Sequence, residues 1–140
     1  MPTPSDHYGN LWDYRTGLTA TMPPQLIFGT ATFGMDMTAF QDTSSVHALL
    51  SNLSKIGIHR LDTGARYPPM KPGRAEELIG ETKELSGKFV VDTKVYTDAQ
   101  KDGSGDLTGE AIERSMKASL GRLERDEVRA VLVFELRFGE

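Results

Sequence analysis

The sequence has no cysteine, only three histidines and no excess of positive charge. Without cysteine there is no disulfide, no thiolate nucleophile and no zinc–thiolate site. His7, His47 and His59 are too scattered to read as metal ligands and are taken as structural. Lys and Arg number 16 against 20 Asp and Glu, a net charge of −4, so the chain as a whole does not attract nucleic acid or an anionic membrane. No apolar run approaches the ~18 residues of a membrane-spanning helix. The opening "MPTPSDHYGN" lacks the basic start and apolar stretch of a secretory signal. These absences leave a soluble, cytoplasmic protein as the expectation.

The 38% hydrophobic content of 140 residues is that of one globular domain large enough to build a core. Residues 1–24 carry no helical period, yet contain Tyr8, Leu11, Trp12 and Tyr14. They read either as a disordered leader or as an arm that docks on something. From residue 25 strand and helix alternate. "QLIFGTATFG" (25–34) reads as a strand ending in glycine. "SSVHALLSNLSKIG" (44–57) reads as a helix with Val46, Leu49, Leu50, Leu53 and Ile56 on one face, capped within Asp42 to Ser45 and stopped by Gly57. "IHRLD" is a second strand. "RAEELIGETKEL" (74–85) is a second helix facing inward with Ala75, Leu78 and Ile79. "KFVVDTKV" is a third strand. Thr108 caps a third helix, with Leu107 and Ile112 as a hydrophobic staple and Ile112, Met116, Leu120 and Leu123 as its buried stripe. "VRAVLVFEL" closes the chain as a fourth strand.

That order predicts an α/β fold of parallel strands joined by right-handed crossovers. Strands buried on both faces would explain the apolar runs "FVV" and "AVLVF". Functional groups in such sheets gather at strand C-termini. Asp62 ends the second strand, Tyr67 follows it in "LDTGARYPPMKPG", and Lys94 ends the third. An acid, a phenol and an amine at strand ends suit proton transfer. The plain alternative is an ion pair of Asp62 and Lys94 bracing the sheet, with Tyr67 an ordinary loop tyrosine. Three other stretches carry less. "DGSGDLTGEAIE" (102–113) sets Asp102, Ser104, Asp106 and Glu113 near calcium-loop spacing, but Leu107 stands where glycine is needed, so it reads as a solvated loop and helix cap. "GTATFG" lacks the Gly-Lys of a phosphate loop. "RLERDE" (122–127) reads as a charged helix exit.

"GTATFG", "LDTGARY", "VDTKV" and "SMKASLGRLERDEV", in that order and spacing, resemble the aldo-keto reductases, most closely the aflatoxin-aldehyde reductase branch. The resemblance covers about residues 25–136. It implies half of a (β/α)8 TIM-type barrel, with about four parallel strands and three helices over residues 25–140, preceded by the arm at 1–24. It also implies reduction of carbonyls with NADPH. Tyr67 would protonate the carbonyl oxygen, Lys94 would place a cation near the phenolate, and Asp62 would hold Lys94.

Two departures shape the functional expectation. Where the family ends its fourth strand in a histidine, "VLVFEL" puts Phe134, which cannot donate a hydrogen bond to a carbonyl. Alternation turns the neighbouring Glu135 the other way. The chain also ends after the fourth of eight strands, before the segments that grip nicotinamide and adenosine phosphate in the family. The expectation is therefore non-redox acid/base chemistry on a small carbonyl compound (isomerisation, dehydration or cyclisation) in small-molecule biosynthesis. No cofactor is expected on the isolated chain, and NADPH only if a full barrel is assembled. An NADPH-dependent reductase completed by dimerisation or by a partner chain is the alternative. An inactive truncated remnant or binding module is the third reading. Unpaired edges beside "AVLVF" need cover, so a homodimer is expected, with no nucleic-acid or membrane partner.

Overall fold

The structure, a computed structural model, describes residues 24–97 and 107–133, together with the backbone of residues 11–13 and 18–20. Two short strands, β1 (Leu11–Asp13) and β2 (Leu18–Ala20), pair antiparallel within the expected arm. Phe134, Glu135 and the acidic loop at Asp102, Ser104 and Asp106 lie outside the described residues.

The second sheet holds β3 (Phe28–Gly29), β4 (Arg60–Asp62), β5 (Val90–Lys94) and β6 (Ala130–Leu132), all parallel and in sequence order. Helix α1 (Thr43–Lys55) links β3 to β4. Helices α2 (Arg74–Glu81) and α3 (Lys83–Ser86) link β4 to β5, and α4 (Gly109–Leu123) links β5 to β6. This is the alternating α/β order of a barrel segment, with, among the described residues, four parallel strands as expected and four helices in place of three.

Local chemistry explains the boundaries. Asp42 caps α1 by accepting the Ser45 N–H at 2.8 Å, while Ser45 Oγ accepts the Asp42 N–H at 3.3 Å. At the other end Gly57 takes φ 83°, and the Ile58 N–H reaches back to the Leu53 carbonyl at 2.9 Å, the bond of a Schellman turn. The second helix does not run unbroken from 74 to 85. Thr82 Oγ1 donates to the carbonyls of Leu78 and Ile79 and ends α2 there. The strand expected over 25–34 keeps only Phe28 and Gly29. Beyond them the backbone turns, with the Phe33 N–H on the Thr30 carbonyl at 3.0 Å, and this buries Phe33 between Phe28 and Phe40.

The core lies between sheet and helices. Val46, Leu50 and Leu53 of α1 meet Leu61, Val91, Ala75, Leu78, Ile79 and Leu123. Ile56, expected on the buried face of α1, is 71% exposed, because the helix ends at Lys55 and the turn swings it outward. The stripe on α4 is also shallower than expected. Leu123 and Ser119 are buried, whereas Ile112, Met116 and Leu120 are half-buried. β6 is not covered on both faces: Val131 and Leu132 are 39% and 47% exposed, since among the described residues no strand or helix lies beyond it.

Candidate active site

Parallel register decides which side chains meet. Leu61 and Val91 are register partners and point into the core, so Asp62 and Lys94 project from the opposite face. There Lys94 Nζ donates to Asp62 Oδ1 and Oδ2, both at 2.7 Å, and to the Thr63 carbonyl at 2.9 Å. The same ammonium lies 5.0 Å from the centroid of the Tyr67 ring, within the range of a cation–π contact. The structure therefore brings together all three residues singled out from the sequence.

Backbone bonds fix each of them. The Thr30 N–H and Oγ1 both donate to the Asp62 carbonyl, at 2.9 and 3.1 Å, tying the exit of β3 to the end of β4. The Ala65 N–H donates to the Lys94 carbonyl at 3.2 Å, extending the ladder past β5. Tyr67 sits in the loop between β4 and α2. Its N–H reaches the Gly64 carbonyl at 3.0 Å, and its carbonyl accepts the Ala75 N–H at 3.1 Å. A methyl group on Gly64 would crowd the Tyr67 ring at 3.3 Å, so glycine there lets the ring pack closely over the loop.

The site is partly open. The side chains of Lys94 and Asp62 are 17% and 33% exposed. Gly29 is the register partner of Asp62, and a Cβ built on it would meet nothing within 4 Å. Among the described residues, open space thus lies beside the carboxylate, at the C-terminal end of the strands. Clefts among the described residues lie elsewhere. One of about 280 Å³ opens between Ala65, Pro72 and the Ala111–Ser115–Ala118 face of α4. Another of about 550 Å³ lies between the start of α1 and the end of α2. Asp62, Tyr67 and Lys94 line neither. Among the described residues no group of three or more His, Asp or Glu could hold a metal ion, and no helix is long and apolar enough to cross a membrane.

Comparison with known proteins gives this constellation its context. Residues 25–134 match the aldo/keto reductase family. The chain belongs to that family. As a family member it is similar to an aldo-keto reductase of Pseudomonas aeruginosa, so assigned, at 29% identity and a TM-score of 0.65, covering 94% of this chain and 51% of that one. An aldo-keto reductase of Klebsiella pneumoniae in complex with NADPH matches at 25% identity and a TM-score of 0.55, over 76% of this chain and 34% of that one. The holo form of an aldo-keto reductase of Bacillus halodurans, at 22% identity and a TM-score of 0.58, covers 78% and 35% and supports the fold alone. This aldo/keto reductase chain therefore spans about a third to a half of the length of these solved relatives. No curated protein matches it.

Sequence reasoning missed three charged residues in or beside the site. Arg60 and Asp92 lie on the same sheet face as Asp62 and Lys94, and Arg60 Nε donates to Asp92 Oδ2 at 2.6 Å. The available signal was alternation: "RLD" and "DTK" each place charges two residues apart within otherwise apolar strands. Glu76 is fully buried on the other face. Its Oε1 accepts Thr93 Oγ1 at 2.6 Å and its Oε2 accepts Arg122 Nε at 2.7 Å, joining α2, β5 and α4 one residue before Lys94. An acid inside the inward stripe of Ala75, Leu78 and Ile79 was its only sequence mark.

Proposed function

We propose that Asp62, Tyr67 and Lys94 form a carbonyl-reducing site in which the Tyr67 hydroxyl donates the proton to the carbonyl oxygen. The observation that carries this reading is the Lys94 ammonium, clasped by Asp62 and set 5.0 Å from the Tyr67 ring centroid. A cation held there stabilises negative charge left on the phenol oxygen after transfer. Asp62, with two hydrogen bonds, and the Thr63 carbonyl hold the ammonium at the end of β4.

NADPH, when bound, supplies the hydride for such a reduction. The residues present suit its reacting end: among the described residues the space over Gly29 beside Asp62 is open at the strand C-termini, next to the proton donor. Gly29, Asp62 and Tyr67 would border that end, and Tyr67 would hold the proton at its phenol oxygen. The NADPH complex of the Klebsiella relative favours this reading over the non-redox chemistry expected from sequence, for which the geometry offers nothing distinctive. The motif resemblance to the aflatoxin-aldehyde reductase branch makes small aldehydes the first substrates to try.

The test is a coupled measurement over a range of protein concentrations, following NADPH oxidation and carbonyl loss together on a panel of aldehydes and ketones. Stoichiometric loss of both is expected, abolished in Tyr67→Phe. Carbonyl consumption without NADPH oxidation would replace this reading with isomerisation or dehydration. No consumption of any compound would leave a binding module or remnant.

A further inference from the structure

The face that carries the proposed site bears two layers of charge. β4 presents Arg60 and Asp62, and β5 presents Asp92 and Lys94. An ion pair crosses the strands in each layer, Arg60 with Asp92 at 2.6 Å and Lys94 with Asp62 at 2.7 Å. Asp62 and Asp92 are direct register partners, so their backbones lie one strand spacing apart, about 4.8 Å. Lys94 thus has two carboxylates within its compass: Asp62 across the strand, and Asp92 two residues earlier on its own strand and face. Asp92 is the more deeply placed, its side chain 5% exposed against 33% for Asp62. Its Oδ1 is buried and has no hydrogen-bond partner among the described residues.

Burial alone would favour delivering the ammonium to Asp92, because an unpaired carboxylate costs most where water is excluded. The lysine nevertheless goes to Asp62. The Thr63 carbonyl helps hold it there at 2.9 Å, and Arg60, by holding Oδ2, offsets the Asp92 charge and lowers its pull on Lys94. We propose that Arg60 is a positioning residue, which occupies Asp92 so that the Lys94 ammonium stays on Asp62 and beside Tyr67. The functional weight of this arrangement rests on the reading of Lys94 and Tyr67 given above. Without Arg60 the lysine would slide one layer down β5, away from the end of β4 where the Tyr67 loop begins.

The position of Lys94 can be read without any substrate. In the full chain with labelled lysine, the methylene protons next to the Lys94 amine carry a ring-current displacement from Tyr67, assigned by its disappearance in Lys94→Arg. Arg60→Met should abolish the displacement. Arg60→Met combined with Asp92→Asn should restore it, because the competing charge is gone, and both Asp92→Asn alone and Arg60→Lys should retain it. A residue that merely braces the sheet would lower the melting temperature in Arg60→Met and leave the displacement in place, which would overturn the proposal. If Arg60→Met does not fold, the double variant decides alone: it must fold and keep the displacement, and failure on either count overturns the proposal. Once carbonyl turnover is established, Arg60→Met should lower kcat by up to about a hundredfold at unchanged KM, as misplacing a catalytic group does, and the double variant should recover it. Absence of turnover in the wild-type chain, with the resonance pattern as expected, would sink the reductase reading and leave this positioning intact.

Discussion

Tyr67 differs from phenylalanine by one hydroxyl, and the contacts that hold its loop come from its backbone and ring. The N–H bond to Gly64, the carbonyl bond from Ala75 and the packing over Lys94 all survive in Tyr67→Phe. We expect this variant to keep its stability within about 0.5 kcal/mol and to lose carbonyl turnover by about 10²- to 10⁴-fold, the range for removing a proton donor. Urea melts and the coupled assay check the two halves. Lys94→Met should do both kinds of harm. It leaves Asp62 without its cation, but that side chain is one-third exposed, so water takes up part of the cost and we expect about 1–3 kcal/mol rather than the loss of a fully buried pair. If the trio were only a brace, Lys94→Met would cost stability alone and Tyr67→Phe would be silent in both measurements.

The helices meet at equally specific points. α2 and α4 approach at Gly80, where a Cβ would run into the carbonyl of Arg122. Gly80→Ala should therefore destabilise by about 1–3 kcal/mol, although alanine is the better helix former by about 1 kcal/mol. A thermal midpoint above that of the wild type would show that the helices can part without cost. α1 and α2 are tied by Glu81, which accepts from Thr43 Oγ1 and pairs with Arg74 at 2.5 Å. The donated bond from Arg74, and next that from Thr43, hold the Glu81 carboxyl below its ordinary value. A depressed value means that the unfolded chain takes up the proton first as the pH falls. The clasp thus contributes in full above the ordinary glutamate range, near 4.3, and is lost as the pH drops through the lower folded value. Glu81→Gln should flatten that part of the stability–pH curve. The carboxylate side chain is 40% exposed, so the difference should stay within about 1 kcal/mol.

At the scale of the molecule, the parallel sheet has two edges among the described residues. β6 offers Val131 and Leu132, and Val133 follows, at 39%, 47% and 51% exposure, and at the other edge Leu26 and Ile27 before β3 are exposed at 66% and 47%. Exposed apolar edges pair with other backbone. A second copy is the occupant we propose: a two-fold rotation would set each β6 against the β3 of the other copy, closing a four-plus-four barrel with every strand parallel. Sedimentation at tens of micromolar should show a dimer. A well-folded monomer at that concentration would reject the arrangement.

The alternation of strands and helices, the caps of α1 and α4 and most of the inward faces of α1 and α2 were written locally, in apolar period, in Asp42 and Thr108, and in Gly57, whereas Ile56, the shallow stripe of α4 and the break at Thr82 were not. Asp62, Tyr67 and Lys94 were legible for a related reason: strand ends in an alternating α/β chain share one mouth, and the "LDTGARY" and "VDTKV" motifs fixed the places. Register was not legible. Whether Asp62 faces Asp92 or its neighbour depends on how two strands slide past each other, and no local pattern states that offset. The Arg60–Asp92 layer, the clasp on Lys94 and the Glu76 junction of α2, β5 and α4 follow from register and packing between segments far apart in sequence. The sequence determined which groups reach the mouth of the sheet; the tertiary structure decided which charge each one meets, because ion pairing in a sheet is settled across strands and not along them.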